Sequence, residues 1–298
     1  MAENITNLPG VFEGRGAFLS RQLNGKKEAN ITIGRKEVRV DLESPIGAGD
    51  LSVIFPGKIN NQVVAVKVFL PLSGIAETHD TQKLQEEFLR EANLLERARH
   101  RGLPRYYGRG EINLSAATSL QAIVRESFPR TLEAKLQGRN STKDAITMAK
   151  QLASALDYLR EKHNTFVTDT DPSNIGIRRN GEYAFLDLGS AVSGGHGKVG
   201  TSERFSPPEL ARLQNEEKRL GNVGPKAQVY SLGALTYAMI GGNIPYKEEV
   251  AMGFDVKPLE NTPEKVLNVL KKALRFDPNE RYSTPGKFSQ ELEIALRS

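Results

Sequence analysis

The chain contains no cysteine, which removes disulfides and thiolate-held metals from consideration. Its histidines, His79, His100, His163 and His196, are never spaced as H-x-x-x-H, so a histidine-built zinc centre is not expected. No apolar run approaches the ~20 residues of a membrane span, and "MAENITNLPGVFEGRG" lacks the basic-then-apolar order of an export signal. A cytoplasmic protein with no membrane partner is therefore expected. There is no internal repeat and no low-complexity tract. The net charge of +5 is mild; it suits anionic partners such as nucleotides but does not argue for nucleic acid. What is present is an ordinary globular composition, 38% hydrophobic over 298 residues, enough for one large domain or two smaller lobes.

The hydrophobic period changes along the chain. Residues 1 to about 30 show no clear period. "ITIG", "EVRV" and "VVAVKVFL" then carry β-branched residues between Gly and Asn turns, and "AIVRESF" is another short strand. Between them "KLQEEFLREANLLERAR" reads as a helix over 83–99, with Leu84, Phe88, Glu91, Ala92 and Leu95 on one stripe. From about residue 144 the pattern is mainly helical. "DAITMAKQLASALDYLREKH" follows the cap candidates Ser141 and Thr142, and "VYSLGALTYAMI" is apolar all round, as a buried central helix would be. "TPEKVLNVLKKALRF" starts with Thr262 as cap and Pro263 at the first helical position, and a last helix is expected near 286–296. The expected class is α+β, with an N-terminal extension over 1–35, a β-rich lobe over 36–127 and a helical lobe over 128–298.

Two charges stand where apolar residues belong. Lys67 lies inside "VVAVKVFL", on the strand face of Val63 and Ala65. Glu91 lies on the apolar stripe of the 83–99 helix. A buried charge is costly unless paired, so the economical arrangement is that the two meet. Singly, each has a plainer reading: an edge-strand lysine reaching water, or a glutamate at the boundary of a slightly rotated helix. Upstream, "IGAGDLSVI" has Gly47 and Gly49 between strand-like segments. It is either a plain hairpin turn or a loop whose bare backbone admits a polyphosphate. Downstream, "FVTDTDPSNIGIRRNGEYAFLDLGSA" packs Asp169, Asp171, Asn174 and Asp187 between apolar runs. Such residues serve as turn and cap residues. They also suit a hard divalent cation, with Asn174 and Asp187 supplying oxygen and Asp169 free to orient a hydroxyl. "ERARHRGLPRYYGRG" is basic, and is read as a helix end and strand with solvated arginines rather than a nucleic-acid patch.

Taken in chain order, G-x-G-x-x-S, A-V-K, a helix glutamate, D-x-x-x-x-N and D-L-G resemble the signature set of the protein kinases, over about residues 40–296. The resemblance implies a bilobal kinase fold and an enzyme using ATP and Mg²⁺ or Mn²⁺ on a protein substrate. It implies a Gly-rich loop at Ile46, Gly47, Ala48, Gly49, Asp50, Leu51, Ser52 and Ile54, with Ala65 also beside the nucleotide. Lys67 would pair the α/β-phosphates with Glu91 as its partner, and Glu126 to Phe128 would hydrogen-bond the base. Asp169 would be the catalytic-loop aspartate, and Asn174 and Asp187 the metal ligands. "GTSERFSPPE" resembles the substrate-docking loop, with Glu209 paired to Arg281, and together with "PSN" it leans toward Ser/Thr specificity. Thr201, Ser202 and Ser193, the last in a Gly-rich loop, are candidate phosphoacceptors. The chain would be either a short kinase or a piece of something longer.

The pattern departs from the family at several positions. Ser52 replaces the third glycine, Val167-Thr168 replace His-Arg, Leu188 replaces the Phe of Asp-Phe-Gly, and Gln228 replaces the aspartate usual at the start of the buried helix, a change expected to loosen the catalytic-loop backbone. Asp171 stands where a lysine usually meets the γ-phosphate. Two like charges ~4 Å apart at an effective dielectric near 20 repel by about 4 kcal/mol, and even a residual ~1.4 kcal/mol is tenfold in rate. Arg125 stands where a residue guarding the back of the adenine pocket is expected. The departures keep two other functions open: a pseudokinase acting as an ATP-binding regulatory module, and a small-molecule phosphotransferase.

Overall fold

The computed structural model describes residues 25–49, 52–70, 79–115, 118–138, 140–194, 204–211, 224–242 and 256–297. The chain divides into two compact units, one comprising residues through Arg97 with Pro104–Ser127, the other Ala98–Leu103 with Phe128–Ser298.

The first unit is an antiparallel sheet with one helix. Its strands are β1 (Glu28–Ile33), β2 (Lys36–Asp41), β3 (Gly47–Gly49), β4 (Ser52–Ile59), β5 (Gln62–Phe69), β6 (Tyr106–Ser115) and β7 (Thr118–Glu126). They run in the order β1-β2-β4-β5-β7-β6, with β3 paired to β4. Alternation puts Ile31, Val38, Val40, Val53, Phe55, Val64, Val66, Val68, Ile112 and Val124 into one buried cluster. β1 lies inside the stretch expected to be an extension, where only "ITIG" carried strand signal. The sheet curls until its two end strands meet. A Cβ on Gly110 would sit 2.7 Å from Ile31 Cγ2, and one on Gly108, at φ +150°, would overlap Ile33. Only glycine lets β6 approach β1 this closely. Helix α1 (His79–Arg97) begins four residues before its expected start. Its Phe88 and Ala92 pack on Phe69 and Ile123 of the sheet.

The second unit is built around helix α3 (Thr142–His163), which follows the short α2 (Leu132–Leu136). Ser141 Oγ accepts the Asp144 N–H at 3.1 Å, as a cap should, and Ala145, Met148, Ala149, Leu152, Leu156 and Leu159 are buried along its length. Asn164, left-handed at φ 48°, ends the helix and turns the chain into β9 (Thr165–Phe166). Strands β8 (Arg130–Thr131), β10 (Ile175–Ile177) and β11 (Tyr183–Phe185) form a small sheet, and β12 (Val192–Ser193) pairs with β9. After α4 (Pro208–Ala211) comes α5 (Pro225–Met239), buried on nearly every side as expected, with Gly224 at its cap and Pro225 in its first turn. α6 (Glu264–Ala273) starts one residue later than expected: Pro263, not Thr262, is its cap. α7 (Pro285–Arg297) closes the unit.

Candidate active site

In the first unit the misplaced charges meet. Lys67 Nζ donates to Glu91 Oε2 at 2.6 Å, with the two side chains 9% and 0% exposed. β5 presents Lys67 on the face that α1 covers. α1 presents Glu91 because Phe88, Ala92 and Leu95 of the same stripe are buried. The Leu84 side chain lies outside the described residues. Breaking such a pair by removing one partner costs about 3–5 kcal/mol.

The Gly-rich segment is a hairpin arm. Ile46 N–H donates to the Ile54 carbonyl at 2.8 Å, and Gly47, Ala48 and Gly49 pair with Ile54, Val53 and Ser52. Asp50 and Leu51 lie outside the described residues. A Cβ on Gly47 would make only an ordinary contact, 3.5 Å from Ile54 Cδ1, so packing does not demand glycine there. Its bare backbone leaves room for close approach by a ligand. Ser52 and Ala65 are buried at 3% exposure each, whereas Ile46 is exposed. Glu126 ends β7, where its N–H donates to the Arg105 carbonyl at 2.8 Å and its Oε2 accepts the Arg105 N–H at 3.1 Å.

In the second unit the loop after β9 gathers the acids. Asp169 Oδ1 accepts the Asp171 N–H at 3.2 Å, and Oδ2 accepts Asn174 Nδ2 at 2.9 Å. Burial pushes the Asp169 carboxyl up to about 6; the charges of Asp171 and Asp187 add to this, while both hydrogen bonds oppose it. Asn174 presents its NH₂ to a carboxylate, so its amide oxygen is the atom left to coordinate. The Asn174 carbonyl accepts the Leu186 N–H at 2.7 Å, which brings Asp187 up beside the loop. Asp187 Oδ1 accepts the Gly189 N–H at 2.8 Å. Among the described residues no cluster of three or more acids or histidines makes a metal cage by itself. An amide oxygen and a carboxylate fit a hard cation that completes its shell with phosphate and water.

Asp171 has a local task. Its Oδ1 accepts from Ser173 N–H at 2.9 Å and Ser173 Oγ at 2.6 Å, capping the 3₁₀ turn Pro172–Asn174. The same carboxylate that adds negative charge thus shapes the turn that carries Asn174. Sequence reasoning missed Ser173, because a serine after proline in a polar loop carries no distinctive signal.

The other departures also have partners. Val167 is buried, and Thr168 Oγ1 donates to the Ser190 carbonyl at 2.9 Å. Gln228 does not leave the loop loose as expected: its Nε2 donates to the Val167 carbonyl at 3.2 Å. An aspartate, which can only accept, could not make this bond to a carbonyl. Leu188 is buried. Arg281 pairs bidentately with Glu209 at 2.7 and 2.8 Å. Phe128 lies under the Arg178 guanidinium, 5.1 Å from its ring centre. Arg178 also donates to the Arg101 and Leu103 carbonyls. Arg97, Arg99, Arg101 and Arg105 are exposed, as read from the sequence. Ser193, expected in a loop, is an exposed residue of β12. Thr201 and Ser202 lie outside the described residues.

A family model, the protein kinase domain, matches residues 40–292. Among curated proteins, the chain is 27% identical to the tyrosine-protein kinase transforming protein Fps of Fujinami sarcoma virus, across 85% of this chain and 29% of that protein. It is 25% identical to the serine/threonine-protein kinase PrkC of Bacillus subtilis, across 52% of this chain and 25% of the relative. It is 21% identical to the serine/threonine-protein kinase PknD of Chlamydia trachomatis, across 84% and 30%. The chain spans less than half the length of these relatives.

Proposed function

The chain belongs to the protein kinase domain family, and on that premise we propose that it transfers the γ-phosphoryl group of ATP to a serine or threonine hydroxyl of a protein. The observation that carries this reading is the Lys67–Glu91 pair, a 2.6 Å contact between charges on an otherwise apolar face. Folding alone has no need of it, since apolar residues of similar volume would serve the sheet as well.

In this reading Lys67 holds the α/β-phosphates, and Glu91 fixes its side chain. The Gly47–Gly49 backbone lies against the phosphates, with Ala65, Glu126 and Phe128 at the base. Asn174 and Asp187 hold Mg²⁺ or Mn²⁺, which neutralises phosphate charge when bound. Asp169 orients the acceptor hydroxyl and takes its proton as the oxygen–phosphorus bond forms and the γ-phosphorus bond to the β,γ-bridging oxygen breaks, releasing ADP. Asp171, occupied by Ser173, organises the turn instead of contacting the γ-phosphate. The "PSN" and "GTSERFSPPE" segments support Ser/Thr over Tyr. No helix of the described residues is long and apolar enough to cross a membrane.

The test is incubation with labelled ATP and Mg²⁺ or Mn²⁺ beside an Asp169→Ala control. Incorporation on Ser or Thr, at least a hundredfold above the control, is expected. Thermal stabilisation by the nucleotide with no incorporation above the control would replace this reading with that of a regulatory module.

A further inference from the structure

β7 carries a charge that phosphoryl transfer does not use. Arg125 is 4% exposed and stands opposite Ala65 on β5 and Tyr106 on β6. Directly paired residues of antiparallel strands share a face. Arg125 therefore projects on the side of Ala65 and, two residues along, of Lys67 and Ile123. Its surroundings there include the apolar cluster of Phe69, Phe88, Ala92 and Ile123. Nη1 reaches the Glu126 carbonyl only at a long 3.4 Å, and Nε has no hydrogen-bond partner among the described residues. A buried guanidinium ordinarily satisfies its donors. Arg281, equally buried, donates to the Arg275, Lys226 and Phe276 carbonyls and to both oxygens of Glu209. Arg125 is the contrasting case, a buried cation with donors to spare.

We propose that Arg125 reads the purine base, so that this site accepts a 6-oxopurine triphosphate, GTP or ITP, at least as well as ATP. The inference rests on the kinase reading above, in which Ala65 and Glu126 border the nucleotide; Arg125 faces the first and adjoins the second. Guanine and hypoxanthine present two acceptors on one edge, O6 and N7, which a guanidinium fork bonds together. Adenine presents an amino donor in place of O6, setting donor against donor.

The experiment is calorimetric titration of the intact chain with ATP, GTP and ITP in the presence of Mg²⁺, repeated on Arg125→Met. The wild type should bind ITP and GTP at least as tightly as ATP. Arg125→Met should move the ITP-to-ATP affinity ratio toward ATP by roughly tenfold or more. ATP binding tighter than ITP in the wild type overturns the inference, and that measurement needs no variant to fold. A ratio that Arg125→Met leaves unchanged overturns it too. Failure of all three nucleotides to bind the wild type removes the kinase reading itself, and this inference with it.

Discussion

Asp169 should cost the fold stability, and replacing it by asparagine should reveal how much. Burial, assisted by the charges of Asp171 and Asp187, lifts its carboxyl from 3.8 to about 6. Near neutral pH the folded protein therefore holds an ionised group that prefers to be neutral, a penalty of about 3 kcal/mol. Asp169→Asn removes the charge and keeps the size. The substituted side chain still offers an oxygen to the Asp171 N–H, but it opposes an NH₂ to the Asn174 Nδ2 that now donates at 2.9 Å. Losing that bond costs about 1 kcal/mol, leaving a net gain of about 2 kcal/mol, or a few degrees in Tm. The sign with pH follows from a folded-state pKa raised above the unfolded one. Below 3.8 the carboxyl is neutral in both states and the wild type pays nothing. The penalty grows as pH rises toward about 6 and is constant above it. Urea or thermal unfolding in metal-free buffer at pH 8 and at pH 3.5 measures this. The variant should be the more stable at pH 8 and no more stable at pH 3.5. A variant less stable than wild type at pH 8, or a gain equal at both pH values, would refute the reasoning.

Three further outcomes are expected. The wild-type kcat/KM for phosphoryl transfer should fall as pH drops through about 6, where Asp169 loses its charge; Asp171→Asn, which keeps an acceptor for Ser173 but removes a neighbouring anion, should move that acid limb downward, as a pH–rate profile will show. Glu209→Ala should destabilise the second unit by about 3 kcal/mol in urea unfolding, because it strands an Arg281 side chain that is 0% exposed.

The sequence by itself determined the element types, the α+β class and the Lys67–Glu91 pairing. Periods of two and 3.6 are local properties, and a lysine and a glutamate each misplaced on an apolar face have few economical solutions besides each other. The order of the site residues along the chain was likewise enough to raise the family resemblance. Tertiary structure decided the rest. β1 pairs locally with β2, but its approach to β6 rests on glycines at 108 and 110, a contact between strands separated by some eighty residues. Gln228 holds the Val167 carbonyl through an N–H that an aspartate lacks, which the substitution alone does not disclose. Asp171 looked like a misplaced charge until the turn placed the Ser173 N–H and hydroxyl against one of its oxygens. Asp169 acquired its raised pKa, and Arg125 its shortage of acceptors, from burial. Burial sums over neighbours brought together by the whole fold, so no local pattern of residues records it.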